Sequence, residues 1–120
     1  MHEFSLAINI FDIVLETVQK KQIRKVYTIK LDVGKLMAVV PESLIFGFET
    51  VSEGTPLEGA KLEIDEIPVK VRCKKCGTES EINEFIFMCP KCNGVDLEML
   101  SGQDMQITSL EVEKNGNHNT

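Results

Sequence analysis

Cys73-Lys-Lys-Cys76-Gly77 and Cys89-Pro-Lys-Cys92-Asn93-Gly94 hold all four cysteines of the 120-residue chain, with twelve residues between the pairs. Two residues between cysteines let a tight turn aim both sulfurs at one point. A glycine just beyond each pair, Gly77 or Gly94, supplies backbone freedom where the knuckle closes. Two such knuckles complete a tetrahedral shell of four thiolates, closed and therefore structural, and the spacing reads as a zinc site. Three other uses of these cysteines compete with it. An iron–sulfur cluster also takes four thiolates, but its usual spacings group three cysteines together. A redox dithiol needs one C-x-x-C beside a βαβ unit and leaves the second pair idle. Disulfides belong to oxidising compartments, and four cysteines are too few for a disulfide-dense scaffold. Lys70, Arg72, Lys74, Lys75 and Lys91 surround the cysteines. They are expected to offset the negative charge of a zinc tetrathiolate, with nucleic-acid contact as the competing use.

Working outward, residues 60–71 alternate (Leu62, Ile64, then Ile67, Val69, Val71), with a slip near Pro68, and read as a strand. Glu84–Met88 and Leu97–Leu100 read as short ribbon strands, with Ile82, Phe85, Phe87 and Leu97 as the module's own core. Residues 104–113 form a last strand, long enough to return to the first domain. Towards the N-terminus, Tyr27, Ile29, Leu31 and Val33 alternate with Thr28, Lys30 and Asp32, giving a strand with one buried face that Gly34 ends or bulges. Pro41 and Glu42 open a short helix carrying Leu44, Ile45, Phe48 and Val51, stopped by Gly54 and Pro56. Strand, helix, strand implies a right-handed crossover and a parallel pair.

Residues 4–22 read as a helix, because Phe4, Ala7, Ile8, Phe11, Val14, Leu15 and Val18 recur at three- and four-residue steps. A second apolar strip, Leu6, Ile10 and Ile13, either widens the core face or is a docking surface left for a partner. Residues 114–120 read as a frayed tail. The expected fold is thus α/β (α+β): two helices on a small mixed β-sheet, with an inserted four-cysteine zinc-ribbon module. The domains are 1–69 plus 105–120 and 70–104.

Composition narrows the functions. Thirteen Lys and Arg against nineteen Asp and Glu leave a net charge of −6, which disfavours general nucleic-acid binding, since that is driven by neutralising phosphates. No apolar run approaches the roughly 20 residues that span a bilayer, and no secretory signal is expected at the start. There is no G-x-x-x-x-G-K-[ST] phosphate loop. No nucleophile–base pair or paired carboxylate stands out, and an enzyme is not expected.

Met1-His2-Glu3-Phe4-Ser5-Leu6, the Pro41–Glu49 segment, the two knuckles, and Ser101-Gly102 with Ile107–Glu111 resemble the HypA/HybF family of hydrogenase maturation factors. The resemblance covers nearly the whole chain in the family's order. The Met-His-Glu start combined with paired knuckles makes it specific. It implies a cytoplasmic nickel metallochaperone with an α/β nickel-binding domain and a zinc domain, acting as monomer or homodimer. Its partners would be a HypB-type GTPase and the [NiFe]-hydrogenase large subunit precursor; some members also serve urease through its maturation proteins. Zn(II) is then a structural cofactor on Cys73, Cys76, Cys89 and Cys92, and Ni(II) a transient cargo at Met1, His2 and Glu3.

The chemistry of the start supports that cargo. The Met1 amine, the His2 backbone nitrogen and the His2 Nδ1 can close fused chelate rings around one metal, and the Glu3 backbone nitrogen would fill a square plane. Square-planar nitrogen ligation suits Ni(II) or Cu(II) and not Zn(II). The Glu3 side chain is expected to cap or orient the helix. Some family members are thought to recruit a further histidine near the zinc module. Here the only histidine besides His2 is His118, in the tail. The alternative reading is a zinc-ribbon module for protein or nucleic-acid interaction in which the Met-His-Glu start is incidental.

Overall fold

The computed structural model describes residues 2–114. In order these form α1 (His2–Lys20), β1 (Ile23–Gly34), a 3₁₀ turn (Lys35–Met37), α2 (Pro41–Ser52), β2 (Lys61–Ile67), β3 (Val69–Cys73), β4 (Glu79–Ile82), β5 (Leu97–Ser101) and β6 (Met105–Lys114). The strands make two three-stranded sheets, ordered β2-β1-β6 and β4-β3-β5. The described residues fall into two compact units. One runs up to Leu31 and adds Val39–Ile64 and the chain from Ile107; the other is Asp32–Ala38 with Asp65–Gln106. Among the described residues no helix is long and apolar enough to cross a membrane.

In the first unit α1 packs on α2. The buried residues of α1 are Ala7, Ile10 and Val14, while Phe4, Ile8 and Ile13 are exposed. This corrects the expected face: Ile10 of the second strip belongs to the core and Ile8 does not. Apolar residues lie on most sides of α1, so period alone does not choose the side that packs. α2 does choose it. A Cβ on Gly47 would lie 3.4 Å from the Ala7 Cβ and 3.5 Å from the Phe4 Cδ1, so Gly47 lets the two helices approach closely at Ala7. Leu44 and Phe48 of α2 are fully buried, each contributing about 2 kcal/mol. Pro41 occupies the first turn of α2 with Glu42, as their sequence position implies.

β1 is the central strand, flanked by β2, to which α2 connects it, and by β6, in a small mixed sheet. β6 runs antiparallel to it. The Tyr27 hydroxyl donates to Glu113 Oε1 at 2.9 Å, and the Thr108 hydroxyl donates to the Lys30 carbonyl at 3.2 Å. Ile29, Leu31 and Val33 are buried as their alternation implies. Tyr27 is not: its ring is half exposed, with the Lys25 Nζ 5.5 Å from its centroid. Thr28 and Ile29 are both buried, so the inward face changes between them and Val26 and Thr28 turn inward instead of Tyr27.

In the second unit β3 pairs antiparallel with β4, from Val69↔Ile82 to Arg72↔Glu79, and with β5, from Lys70↔Ser101 to Cys73↔Leu97. The expected single strand over 60–71 is therefore two strands in different sheets. Pro68 separates them, because it offers no N–H to continue a ladder; its carbonyl accepts from the Ser101 hydroxyl at 2.9 Å. The expected strand Glu84–Met88 is absent, and β4 stands at Glu79–Ile82 instead. Glu84 and Phe85 both take left-handed backbone angles, φ 55° and 57°, which cannot extend a strand. As a result Phe85 and Phe87 are exposed rather than core. The core is Val69, Val71 and Ile82, with Leu36, Leu97 and Met99 packed against it.

Leu36 reaches that core through a tight crossing. The Gly34 N–H donates to the Asp104 carbonyl at 2.8 Å, and the Leu36 N–H to the Gly102 carbonyl at 2.9 Å. A Cβ on Gly34 would sit 2.1 Å from the Gly102 oxygen. Gly34→Ala should therefore lower stability by about 2–3 kcal/mol through overpacking against backbone. Gly59→Ala, at φ 87° with nothing within 4 Å, should cost only about 1 kcal/mol of backbone strain. Urea unfolding of the two variants checks the difference, and equal midpoints would refute the steric account of the crossing.

Candidate metal centre

The four cysteine sulfurs lie within 4.8 Å of one another. Cys73 and Cys92 Sγ are 3.6 Å apart, as are Cys76 and Cys89 Sγ. A disulfide would require about 2.05 Å, and all four cysteines are free. Four sulfurs at about 2.3 Å from a central ion in a tetrahedron stand about 3.8 Å apart, so the donor set fits one tetrahedral metal ion.

Two matching turns build this geometry. In the first, the Cys73 N–H donates to the Thr78 carbonyl and the Gly77 N–H to the Cys73 carbonyl, both at 2.8 Å. In the second, the Cys89 N–H donates to the Gly94 carbonyl at 2.8 Å and the Asn93 N–H to the Cys89 carbonyl at 2.9 Å. The first cysteine of each pair is buried; Cys76 is exposed and Cys92 half-buried. The two glycines serve different ends. Gly77 has φ 78°, the left-handed angle the knuckle needs. In the second knuckle Asn93 takes that angle, at φ 62°. Gly94 instead makes room, since a Cβ there would lie 3.2 Å from the Cys92 Sγ and 3.6 Å from the Cys73 Sγ.

Two of the five cations near the cysteines, Arg72 and Lys74, have carboxylate partners. Arg72 Nη2 lies 2.8 Å from Glu79 Oε2 and Nη1 3.2 Å from Glu98 Oε1; Lys74 Nζ lies 3.9 Å from Asp96. Arg72 and Lys74 are thus shared between these carboxylates and the neighbourhood of the sulfurs. A residue that spacing did not single out matters more. Thr78 lies 3.2 Å from the Cys76 Sγ through its hydroxyl. Its side-chain and backbone hydrogen bonds hold the Cys76 thiol down to about 6. At Cys92 the Gly94 amide favours the thiolate, but the crowding of the other three thiols, with burial, outweighs it and pushes the group up to about 11. Four sulfurs this close cannot all ionise by themselves, and a bound dication removes the conflict.

At the other end of the sequence, His2 is exposed and opens α1. The first four N–H groups of a helix have no intrahelical acceptor, so the His2 and Glu3 amides are not spent on the helix. Glu3 Oε2 accepts the Val40 N–H at 3.1 Å, so the side chain orients rather than ligates. That bond is the main reason the Glu3 carboxyl is held below the usual carboxylate range. Met1 and His118 lie outside the described residues. The structure brings the four cysteines together; His2 and Glu3 stand in the other unit.

An α/β unit joined to a four-thiolate centre, with an exposed histidine opening its first helix, defines a metal-handling protein of two parts. Residues 1–112 match the family model described as hydrogenase/urease nickel incorporation, metallochaperone, HypA. A hydrogenase maturation factor HypA of Desulfatibacillum aliphaticivorans is 42% identical over 113 residues, covering 93% of this chain and 87% of that relative. One from Methanocaldococcus jannaschii is 38% identical, covering 94% and 98%. The solution structure of the Ni metallochaperone HypA from Helicobacter pylori superposes with a TM-score of 0.70 at 26% identity, covering 96% of this chain and 100% of that one. The chain belongs to the HypA family.

Two outcomes test the site. Thr78→Val should raise the Cys76 pKa, so that protons compete better for the sulfur. Zinc affinity by chelator competition should fall about tenfold near pH 7, and the gap should close above about pH 9, where the thiol ionises unaided. An unchanged affinity at both pH values would remove the role given to Thr78. The Glu3 contact has the opposite pH sense to a raised group. A carboxyl lowered in the folded state contributes stability above its unfolded value, and loses it as pH falls through its folded value. The Val40 amide proton shift should titrate with a midpoint below the usual carboxylate range in the wild type and show no such step in Glu3→Ala.

Proposed function

We propose that this chain is a nickel metallochaperone that delivers Ni(II) during maturation of [NiFe]-hydrogenase, with urease as a second client. The observation that carries the reading is the family match, which spans residues 1–112 and so takes in both the Met-His-Glu start and the two knuckles. In this reading the α1–α2 unit is the nickel-binding domain. Nickel is cargo, held by the Met1 amine, the His2 backbone nitrogen and Nδ1, and the Glu3 backbone nitrogen. A square plane of nitrogens selects Ni(II) over Zn(II). Amides that the helix leaves without acceptors can take part at low cost.

The cysteine unit is the zinc domain, with Cys73, Cys76, Cys89 and Cys92 holding Zn(II) as a closed structural site. The closed shell leaves no position for substrate, which supports a carrier and not an enzyme. GTP hydrolysis falls to a HypB-type GTPase partner, and the [NiFe]-hydrogenase large subunit precursor is the receiving protein. The carrier acts in the cytoplasm, as a monomer or a homodimer.

The test is metal stoichiometry in protein with a native start. One tight zinc and one separate, weaker nickel are expected; zinc alone would favour a ribbon interaction module. An N-terminal tag keeps every side chain but turns the Met1 amine into an amide. It should therefore abolish the square-planar nickel absorption band while leaving zinc bound. Nickel affinity should fall steeply below neutral pH, because the amine (about 8) and imidazole (about 6.5) must both lose protons to bind. A tagged protein that binds nickel as tightly as the native-ended one would overturn the main-chain chelate.

A further inference from the structure

We propose that the start of α1 and the first turns of α2 form a docking surface for a basic protein segment that anchors one apolar side chain. The proposal rests on the carrier reading above and identifies where a partner stands relative to the cargo. Phe46 projects from α2 with 70% of its surface exposed, and Phe4 and Val40 are exposed as well. Single exposed apolar residues are ordinary on protein surfaces, but a cluster around a concavity marks an interaction site. Here Phe4 and Phe46 line a hollow of about 270 Å³, together with Glu3, Glu42, Ser43 and Gly47. That volume is below the range of small-molecule sites and suits one anchoring side chain of a partner. Gly47 forms part of the wall, and a Cβ there would stand 3.5 Å from the Phe4 ring.

The charge around the hollow names the chemistry of the occupant. Glu42 lines the hollow, and no Lys or Arg does. Glu3 adds a carboxylate on the rim, partly engaged by the Val40 amide. Of the cations of the same unit, none of Lys20, Lys21, Arg24, Lys25, Lys30 and Lys61 lines the hollow. An apolar anchor flanked by Lys or Arg therefore complements this surface, and an acidic segment is repelled. Because Glu3 and Phe4 directly follow His2, a segment seated here lies beside the residues proposed to carry nickel.

The probe is a synthetic amidated peptide, Lys-Lys-Leu-Lys-Lys-Leu-Lys-Lys, titrated into ¹⁵N-labelled full chain, with the same peptide carrying Glu for Lys as its control. Amide shifts confined to residues 3–4 and 42–47 are expected with the Lys peptide. They should weaken at least tenfold in Phe46→Ser, in Glu42→Lys, and at high salt. Phe46 is exposed, so its variant should keep the amide spectrum of the fold and the metal content. The proposal is overturned if shifts fall on Phe85–Met88 instead, if the Glu peptide binds equally, or if Phe46→Ser binds as tightly as wild type. It is also overturned if sedimentation shows peptide-free self-association that Phe46→Ser abolishes, since a second copy would then be the occupant. Specific peptide shifts in protein that binds no nickel would uphold the surface and reject the carrier reading alone.

Discussion

The convergence of four sulfurs within 4.8 Å is the constraint on which the cysteine unit depends. Its fully enclosed apolar core is small: Val69, Val71 and Ile82, helped by Leu36, Leu97 and Met99. Three buried aliphatic side chains contribute about 6 kcal/mol together, before the entropy of ordering the loops is subtracted. A structural metal in a module of this kind contributes on the order of 10 kcal/mol or more. An ion held there would stabilise the unit more than its apolar core does. The backbone is shaped around it through the two matching turns, the left-handed Gly77 and Asn93, and the space left by Gly94. The crowding of the thiols shows at Cys92, which its sulfur neighbours and burial push up, while Thr78 holds Cys76 down.

The two units offer two ways of holding a metal. Four side chains on two turns make a closed shell, which is slow to open and suits a structural ion. The start of α1 presents an exposed imidazole and helix amides without acceptors, with Glu3 fastened to Val40 beside them. Donors drawn largely from main chain at the head of a helix are reached and released without dismantling a core. That difference follows from where the donors sit, and the proposed division between a resident zinc and a travelling nickel rests on it.

Much of the fold is legible in the sequence, and the departures have specific causes. α1, α2, β1 and β6 stand where periodicity and helix-start residues place them. The knuckles stand where spacing places them. Residues 60–71 look like one strand because both halves alternate, and alternation does not reveal that a proline hands the chain from one sheet to another. Glu84–Met88 looks like a strand because its apolar residues follow in a row, while two successive left-handed residues prevent one. The buried side of α1 escapes the sequence because several sides are apolar, and the contact at Gly47 of α2 falls on Ala7.

By itself the sequence determined the four-cysteine donor set, the places of α1, α2, β1 and β6, and the family. Those depend on local spacing, on intrinsic conformational preference and on residue identity, all of which act over a few neighbours along the chain. Only the tertiary structure decided that Gly34 and Gly102 cross in contact, that Leu36 joins the core of the cysteine unit, that Arg72 serves Glu79 and Glu98, and that Glu3 holds the Val40 amide. Each of these joins residues 7 to 68 positions apart. Their meeting is set by excluded volume and by pairing of polar groups once the chain has folded back on itself. No periodicity along the sequence encodes which distant groups will share that space.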